Sequence, residues 1–312
     1  MSHTHALIHA VVPHEDRKAP LMFSTKRRLA YITSTALVVA SLATACADGG
    51  AGGSGALQVS GSTTVAPVAA DAAEALKADG LDMTVATQGG SAGGISQLAA
   101  GQIKIAMSSK PLAAEDKAAS PDTDFRSTQI GSDAVGIIVT KKVADAGVKN
   151  LTVDQVRDLF EGKIANWSEV GGPDLKVFVY DKEPGRGTRE VLDKYIYGDK
   201  KAPAPPKSDN FAIVGGNLET RNKLKSTPGS VAPLSTSFVE GHKDLAVVTL
   251  DGIGATPKNI ASGKYPMSRP LYFITDGKPE GTAKKFIDYV LTAKGQKLMT
   301  KHGYLTLKEI GK

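Results

Sequence analysis

The sequence predicts an α/β fold with largely parallel strand pairing, on two observations. From Ala56 onward, short apolar runs of strand length alternate with stretches of helical period, and Gly or small hydroxyl residues sit at the changeovers. Aromatic residues make up 5% of the chain against 33 glycines, a balance that suits a loop-rich α/β body better than an all-β sandwich. With 312 residues and 41% hydrophobic content, the chain has material for one large core or two modest ones.

The amino-terminal part reads as an address. Lys26-Arg27-Arg28 is a basic start, and residues 29–42 are an apolar stretch too short and too rich in Ser/Thr to span a membrane comfortably. Ala43-Thr44-Ala45 then leads to Cys46, the only cysteine. This order is that of a signal peptide (residues 1–45) ending at a lipid-modified cysteine, because small side chains admit the peptidase and the thiol takes the lipid. Ala43 stands where such boxes usually carry Leu, so an ordinary signal peptide with an incidental Cys is the other reading. Residues 1–21 hold four of the six histidines and no periodic pattern. A metal-binding His tract would account for them, as would a start at Met22, which gives a basic region of ordinary length. Residues 46–55 follow as the lipidated Cys and a flexible Gly-rich leash.

Removing residues 1–45 takes five of the 38 Lys/Arg and two of the 32 Asp/Glu, so the net charge falls from +6 to +3. Charges scattered in this way describe a solvated surface and exclude a nucleic-acid stripe. Without a second cysteine, an exported chain has no internal disulfide.

In the body, Leu57 to Ser60 reads as a strand ending at Gly61, and Pro67 opens a helix whose apolar face is Val68, Ala72, Ala75 and Leu76. Strands are expected at 83–86, 103–107 and 135–140, the last apolar enough to be buried. Thr152 and Gln155 form a capping box, with Leu151 and Val156 as its hydrophobic staple. A strand at 177–180 runs into Gly185-Arg186-Gly187-Thr188 and a further helix. Residues 245–250 and 270–274 are read as late strands, and two amphipathic helical pieces close the chain.

Three changeovers share one grammar: Gly61-Ser62-Thr63-Thr64, Gly90-Ser91-Ala92-Gly93 and Gly185-Arg186-Gly187-Thr188. At each, a strand gives way through Gly and hydroxyl residues to a helix start. The free N–H groups and macrodipole there attract an anion, and Gly lets it approach the backbone. Converging loops of this kind hold a tetrahedral oxyanion, whereas hydroxyls that merely cap their own helices do not. Ser108-Ser109, at another strand end, adds to the set. Gly89-Gly90-Ser91-Ala92-Gly93 also fits the Gly-x-Ser-x-Gly elbow of hydrolases, but the body offers only His242 and His302 as a base, both in polar surroundings. The body has no His/Cys spacing of metal-ligand type, and no cofactor is expected. Trp167 is read as packing against the preceding helix, with ligand stacking as the other role.

Over nearly all of residues 56–312 the chain resembles the phosphate-binding proteins of phosphate ABC transporters. The resemblance lies in Ser60-Gly61-Ser62-Thr63-Thr64-Val65-Ala66-Pro67, Gly89-Gly90-Ser91-Ala92-Gly93, Ile105-Ala106-Met107-Ser108-Ser109 and Leu159-Phe160-Glu161-Gly162-Lys163-Ile164-Ala165-Asn166-Trp167. It continues in Gly185 to Arg189, Gly263-Lys264-Tyr265-Pro266, Arg269-Pro270-Leu271 and Gly295-Gln296. It implies a two-lobed type II periplasmic-binding-protein fold, with two hinge-crossing strands and the ligand in a cleft. Lobe 1 is then 56–140 plus 265–312, and lobe 2 is 141–264. It implies ligand donors at Ser62, Thr63, Ser91, Ser108 or Ser109, Gly187 and Thr188. It further implies a non-enzymatic, monomeric partner of an importer permease, held at the membrane by its lipid, or a sensory protein of the same fold.

Two departures bear on the ligand. Arg186 stands inside the Gly-x-Gly-Thr loop where the family usually has Ser, and Lys182 stands three residues before it where the family usually has Arg. Lys keeps a cation but not a planar bidentate contact. Arg186 either takes over charge neutralisation or points to solvent at the cleft rim. Some relatives carry an Asp that accepts a proton from phosphate, at the place taken here by Ser109. Asp133 either supplies that acceptor, and with it selectivity against sulfate, or caps a turn.

Overall fold

A computed structural model describes residues 56–312; the leader, Cys46 and the leash lie outside the described residues. Eleven strands run in chain order as β1 (Leu57–Gly61), β2 (Met83–Ala86), β3 (Ile105–Ser108), β4 (Phe125–Thr140), β5 (Asn150–Leu151) and β6 (Phe178–Lys182). They continue as β7 (Phe211–Val214), β8 (Ser230–Ser235), β9 (Leu245–Val247), β10 (Thr249–Leu250) and β11 (Ser268–Asp276).

Nine of them form one sheet in the order β2-β1-β3-β11-β4-β8-β6-β7, with β9 also on β4. The sheet is shared between two lobes. In the first, β1 pairs in parallel with β2 and β3; in the second, β6 pairs in parallel with β7 and β8. The pairing is therefore mixed rather than largely parallel, for a topological reason. β4 leaves the first lobe and β11 returns to it, so each runs antiparallel to its neighbours.

β4 changes partner along its length. Phe125 to Ala134 pair with β11, and Val135 to Val139 pair with β8. The chain thus passes into the second sheet half at Ala134/Val135, six residues before Thr140, where the sequence reading put the end of lobe 1. On the return, Tyr265 and Met267 pack in the second lobe's core before β11 begins at Ser268. The outer half of β4 gave no strand signal because Arg126, Ser127 and Thr128 are polar. The expected strand at 245–250 is two, β9 and β10, which pair in different sheets.

Each lobe has its own core. Val59, Val68, Met107, Phe273 and Phe286 are central to the first. Val135, Ile137, Leu159, Trp167, Val179 and Leu192 are central to the second. Trp167 is fully buried among them, and its indole N–H donates to the Gly229 carbonyl (2.8 Å). The helix Val153–Phe160 starts as its sequence dictates: Thr152 accepts from the Gln155 N–H (3.2 Å), and the Gln155 side chain accepts from the Thr152 N–H (2.9 Å). Leu151 and Val156, the staple, are both fully buried. Among the described residues no helix is long and apolar enough to cross a membrane.

Candidate functional site

The three hydroxyl loops meet in one pocket between the lobes. The first loop leaves β1 at Gly61, whose φ of 132° only Gly adopts easily, and a Cβ there would lie 2.3 Å from the Met107 carbonyl oxygen. Ser62 donates its N–H to that carbonyl (2.9 Å) and its Oγ accepts from the Thr64 N–H (3.2 Å), a tight hydroxyl turn. The helix Ala66–Lys77 follows. The second loop opens the helix Gly90–Ala99, and the third opens the helix Gly187–Tyr197.

None of these three helix starts has a side-chain cap: the N-cap residues are Val65, Gly89 and Arg186. Thr63, Ser91 and Thr188 are therefore not spent on capping their own helices. The N–H groups of Gly187 and Thr188 open their helix and have no carbonyl one turn back within it. The lobes touch closely here. The Ala92 N–H donates to the Gly185 carbonyl (3.1 Å), and a Cβ on Gly187 would lie 2.5 Å from Ser109 Oγ and 3.0 Å from Ser91 Oγ.

Of the residues singled out from the sequence, Ser62, Thr63, Ser91, Ser109, Lys182, Arg186, Gly187 and Thr188 all line this pocket. Two do not. The Ser108 hydroxyl donates to the Lys110 carbonyl (2.8 Å) and accepts from the Lys110 N–H (3.3 Å), so it ties the turn after β3 while Ser109 faces the pocket. Asp133 neither caps a turn nor offers a free acceptor. Its Oδ2 accepts from Arg269 Nε (2.9 Å) and Nη2 (2.7 Å), and its Oδ1 accepts from the Ser235 hydroxyl (2.9 Å).

Thr64 and Gly90, which belong to the loops read from the sequence but were not singled out as donors, also line the pocket, and sequence reasoning missed two further lining residues, Gly215 and Asn217. Val214-Gly215-Gly216-Asn217 repeats the grammar of a strand end, glycines and a helix start, and could have been added on that ground. Asn217 Nδ2 donates to Thr64 Oγ1 (2.9 Å), another bond between the lobes. Arg269 was also missed, since its guanidinium reaches Thr64, Thr188 and Asp133 from far along the chain.

The pocket is electropositive. Lys182 is almost fully buried, and its ammonium donates to the Gly215 (3.2 Å) and Gly216 (3.3 Å) carbonyls and to the Thr220 hydroxyl. Burial, reinforced by the Arg186 and Arg269 charges, pulls its pKa down to about 7. Arg186 pairs with Glu183 (2.5 Å), and its side chain is 14% exposed, so it lies over the pocket rather than out in solvent. Strand alternation sends Asp181 to the other side of β6, where it pairs with Arg189 and lines a separate cavity with Phe160, Tyr197 and Phe211. No carboxylate is among the residues lining the hydroxyl pocket. Such an array of N–H groups, hydroxyls and two cations can hold a small anion by hydrogen bonds and charge.

The Ser91 hydroxyl is not placed as an activated nucleophile. It accepts from the Ser109 N–H (3.2 Å) and lies 3.4 Å from Ser109 Oγ, and neither His242 nor His302 is among the residues lining its pocket.

Comparison with known proteins agrees with this geometry. Residues 47–294 match the PBP superfamily domain. The phosphate-binding protein PstS of Bacillus subtilis is 31% identical over 260 residues, covering 82% of each chain. A solved substrate-binding protein from Clostridium perfringens, with bound phosphate, is 29% identical with a TM-score of 0.72, over 81% of this chain and all of that one (100%). An ABC-type phosphate transport receptor from Vibrio cholerae is 26% identical with a TM-score of 0.64, over 80% of this chain and 99% of that one. The two-lobed fold, the match to the superfamily domain and the likeness to the Bacillus protein together place the chain in the PBP superfamily, within the family of phosphate-binding proteins.

Proposed function

We propose that the chain captures inorganic phosphate between its lobes and presents it to an ABC importer. One observation carries this reading: three uncapped helix starts from two lobes converge, with their hydroxyls and two cations, on a single pocket. The anion would accept from Ser62, Thr63, Ser91 and Ser109 on one side and from Gly187 and Thr188 on the other. Contacts from both lobes form together, so bound anion stabilises the closed state, which a permease can then distinguish from the open one.

Lys182 and Arg186 supply the charge in this reading, with Arg186 compensating for the fork that Lys182 lacks. A tetrahedral oxyanion with four acceptor corners suits such a donor cage, and a cage of this kind binds without bond making or breaking. The relatives' phosphate ligand and their family support the choice of phosphate over other oxyanions.

We further place the mature protein outside the cytoplasm, as a monomer tethered through a lipid on Cys46 and the leash of residues 47–55. A basic start, an apolar stretch and a lone Cys after small residues support this. The functional test is phosphate uptake by cells from which the gene has been deleted. Restored uptake with the native chain, and none with Thr188→Val combined with Ser91→Ala, is expected. Equal uptake with both chains contradicts the assignment. Cys46→Ala tests the tether separately, and it should release the protein from the membrane fraction.

A further inference from the structure

We propose that Arg269 is a positioning residue of the anion site, whose guanidinium holds the Thr64 and Thr188 hydroxyls, one from each lobe, as hydrogen-bond donors into the pocket. The inference rests on the phosphate reading for its ligand, and on hydrogen-bond geometry for the rest.

Arg269 Nη2 donates to Thr64 Oγ1 (2.9 Å) and Nη1 donates to Thr188 Oγ1 (2.9 Å). The guanidinium is a donor at every nitrogen and has no acceptor. A hydroxyl oxygen that receives a hydrogen bond from it must turn its own hydrogen elsewhere. Thr64 is the stricter case, because Asn217 Nδ2 also donates to Thr64 Oγ1 (2.9 Å). Both lone pairs of that oxygen are then taken, and its hydrogen is all it has left to offer. Thr64 and Thr188 both line the pocket. An anion placed there meets hydroxyls already oriented to donate.

The fork is itself held rigidly. Arg269 and Asp133 lie opposite each other in the register of β11 and β4, the two strands that join the lobes. Asp133 takes two of the guanidinium's hydrogen bonds, and the pair is almost fully buried, each side chain 1% exposed. Asp133 therefore acts on the site through Arg269. Thr64 and Thr188 come from different lobes; Nη1 also donates to Ser109 Oγ (3.4 Å) in the first lobe, so closure adds the shorter Thr188 bond to that arm. Hydroxyl orientation is thus linked to closure through one side chain at the crossing point.

The test is a set of calorimetric phosphate titrations on the full chain. Arg269→Lys keeps a cation against Asp133 but cannot reach both threonines. It is expected to keep a urea midpoint close to that of the native protein while losing roughly 10–100-fold in phosphate affinity, the range of a charge-assisted hydrogen bond. In a Thr64→Val/Thr188→Val background the same change should cost little more, because the groups it acts through are gone. If the Lys variant does not fold, Arg269→Met with Asp133→Asn removes the charge together with its partner and should show the same non-additive loss. Native affinity in Arg269→Lys, or losses that simply add in the threonine background, overturns the proposal. If the native chain itself binds no phosphate, the functional reading fails, and amide hydrogen exchange still decides the role of Arg269. Faster exchange at 63–66 and 187–190 in the folded Lys variant supports the fork, and unchanged exchange overturns it.

Discussion

Lys110 Nζ lies 3.1 Å from Glu190 Oε2, and this ion pair joins the two lobes beside the anion pocket. Lys110 follows Ser109 in the first lobe, and Glu190 sits in the first turn of the helix that begins at Gly187. Asp116, 2.8 Å away, holds Lys110 in place from its own lobe. The pair is a latch that closure completes without touching the ligand.

Glu190→Gln should therefore weaken phosphate binding by opening the lobes, with the pocket's donors all intact. A loss of several-fold in affinity is expected, about 1 kcal/mol for a partly exposed pair. Small-angle scattering of the phosphate-bound variant should show a larger open fraction than for the native protein at equal phosphate. Burial pushes the Glu190 carboxyl up, opposed by the Lys110 charge, so Glu190 gives up its charge at a higher pH than an ordinary glutamate.

Lys182 gives the site a pH dependence of its own. Its folded pKa of about 7 lies below its ordinary 10.5. Below pH 7 the folded and unfolded chains both carry the proton, and the penalty of burying the charge is fully present. As pH rises through 7 the folded chain releases the proton while the unfolded chain keeps it, so this residue's contribution to stability improves toward pH 10.5. A bound anion favours the ammonium form. Binding at pH 8 should thus take up a proton, seen as a binding heat that varies with the ionisation enthalpy of the buffer. Lys182→Met should bind more weakly and lose most of that uptake; an identical uptake in the variant would show that the proton goes elsewhere.

Gly187→Ala tests whether the lobes must close as tightly as observed. The added methyl would sit 2.5 Å from Ser109 Oγ and 3.0 Å from the Ser109 carbonyl oxygen, both in the opposite lobe. The second is backbone and cannot rotate away. The variant is expected to unfold at the native urea concentration but to bind phosphate at least tenfold more weakly. Undiminished affinity would mean that the ligand is held in a more open form.

Much of the site was legible because its loops are local. Hydroxyl-rich changeovers after strands can be read from consecutive residues, and three of them do meet. Arg269 and Asn217 were not legible, because they reach the pocket's threonines from 205 and 153 positions away. Asp133 was seen as a lone acid near a strand, and only the β4–β11 register shows that Arg269 occupies it. The fold was legible to the same extent. Apolar period located the core strands, while the mixed pairing arises from β4 and β11 crossing between lobes, which no local pattern records.

Trp167 separates packing from ligand contact. Trp167→Phe removes the indole donor to the Gly229 carbonyl, which keeps only the Phe178 N–H (3.1 Å), and leaves space in the core. A loss of about 1–3 kcal/mol in urea unfolding is expected, with phosphate affinity unchanged. A selective loss of affinity would assign the ring to the ligand instead.

The most direct test of the account is calorimetric titration of the purified, anion-stripped protein with phosphate and then with sulfate. Saturable one-to-one phosphate binding at micromolar concentration or below, about −8 kcal/mol or stronger, with a much weaker response to sulfate, is the expected result. No phosphate binding by the folded protein at millimolar concentration would contradict capture by the hydroxyl pocket.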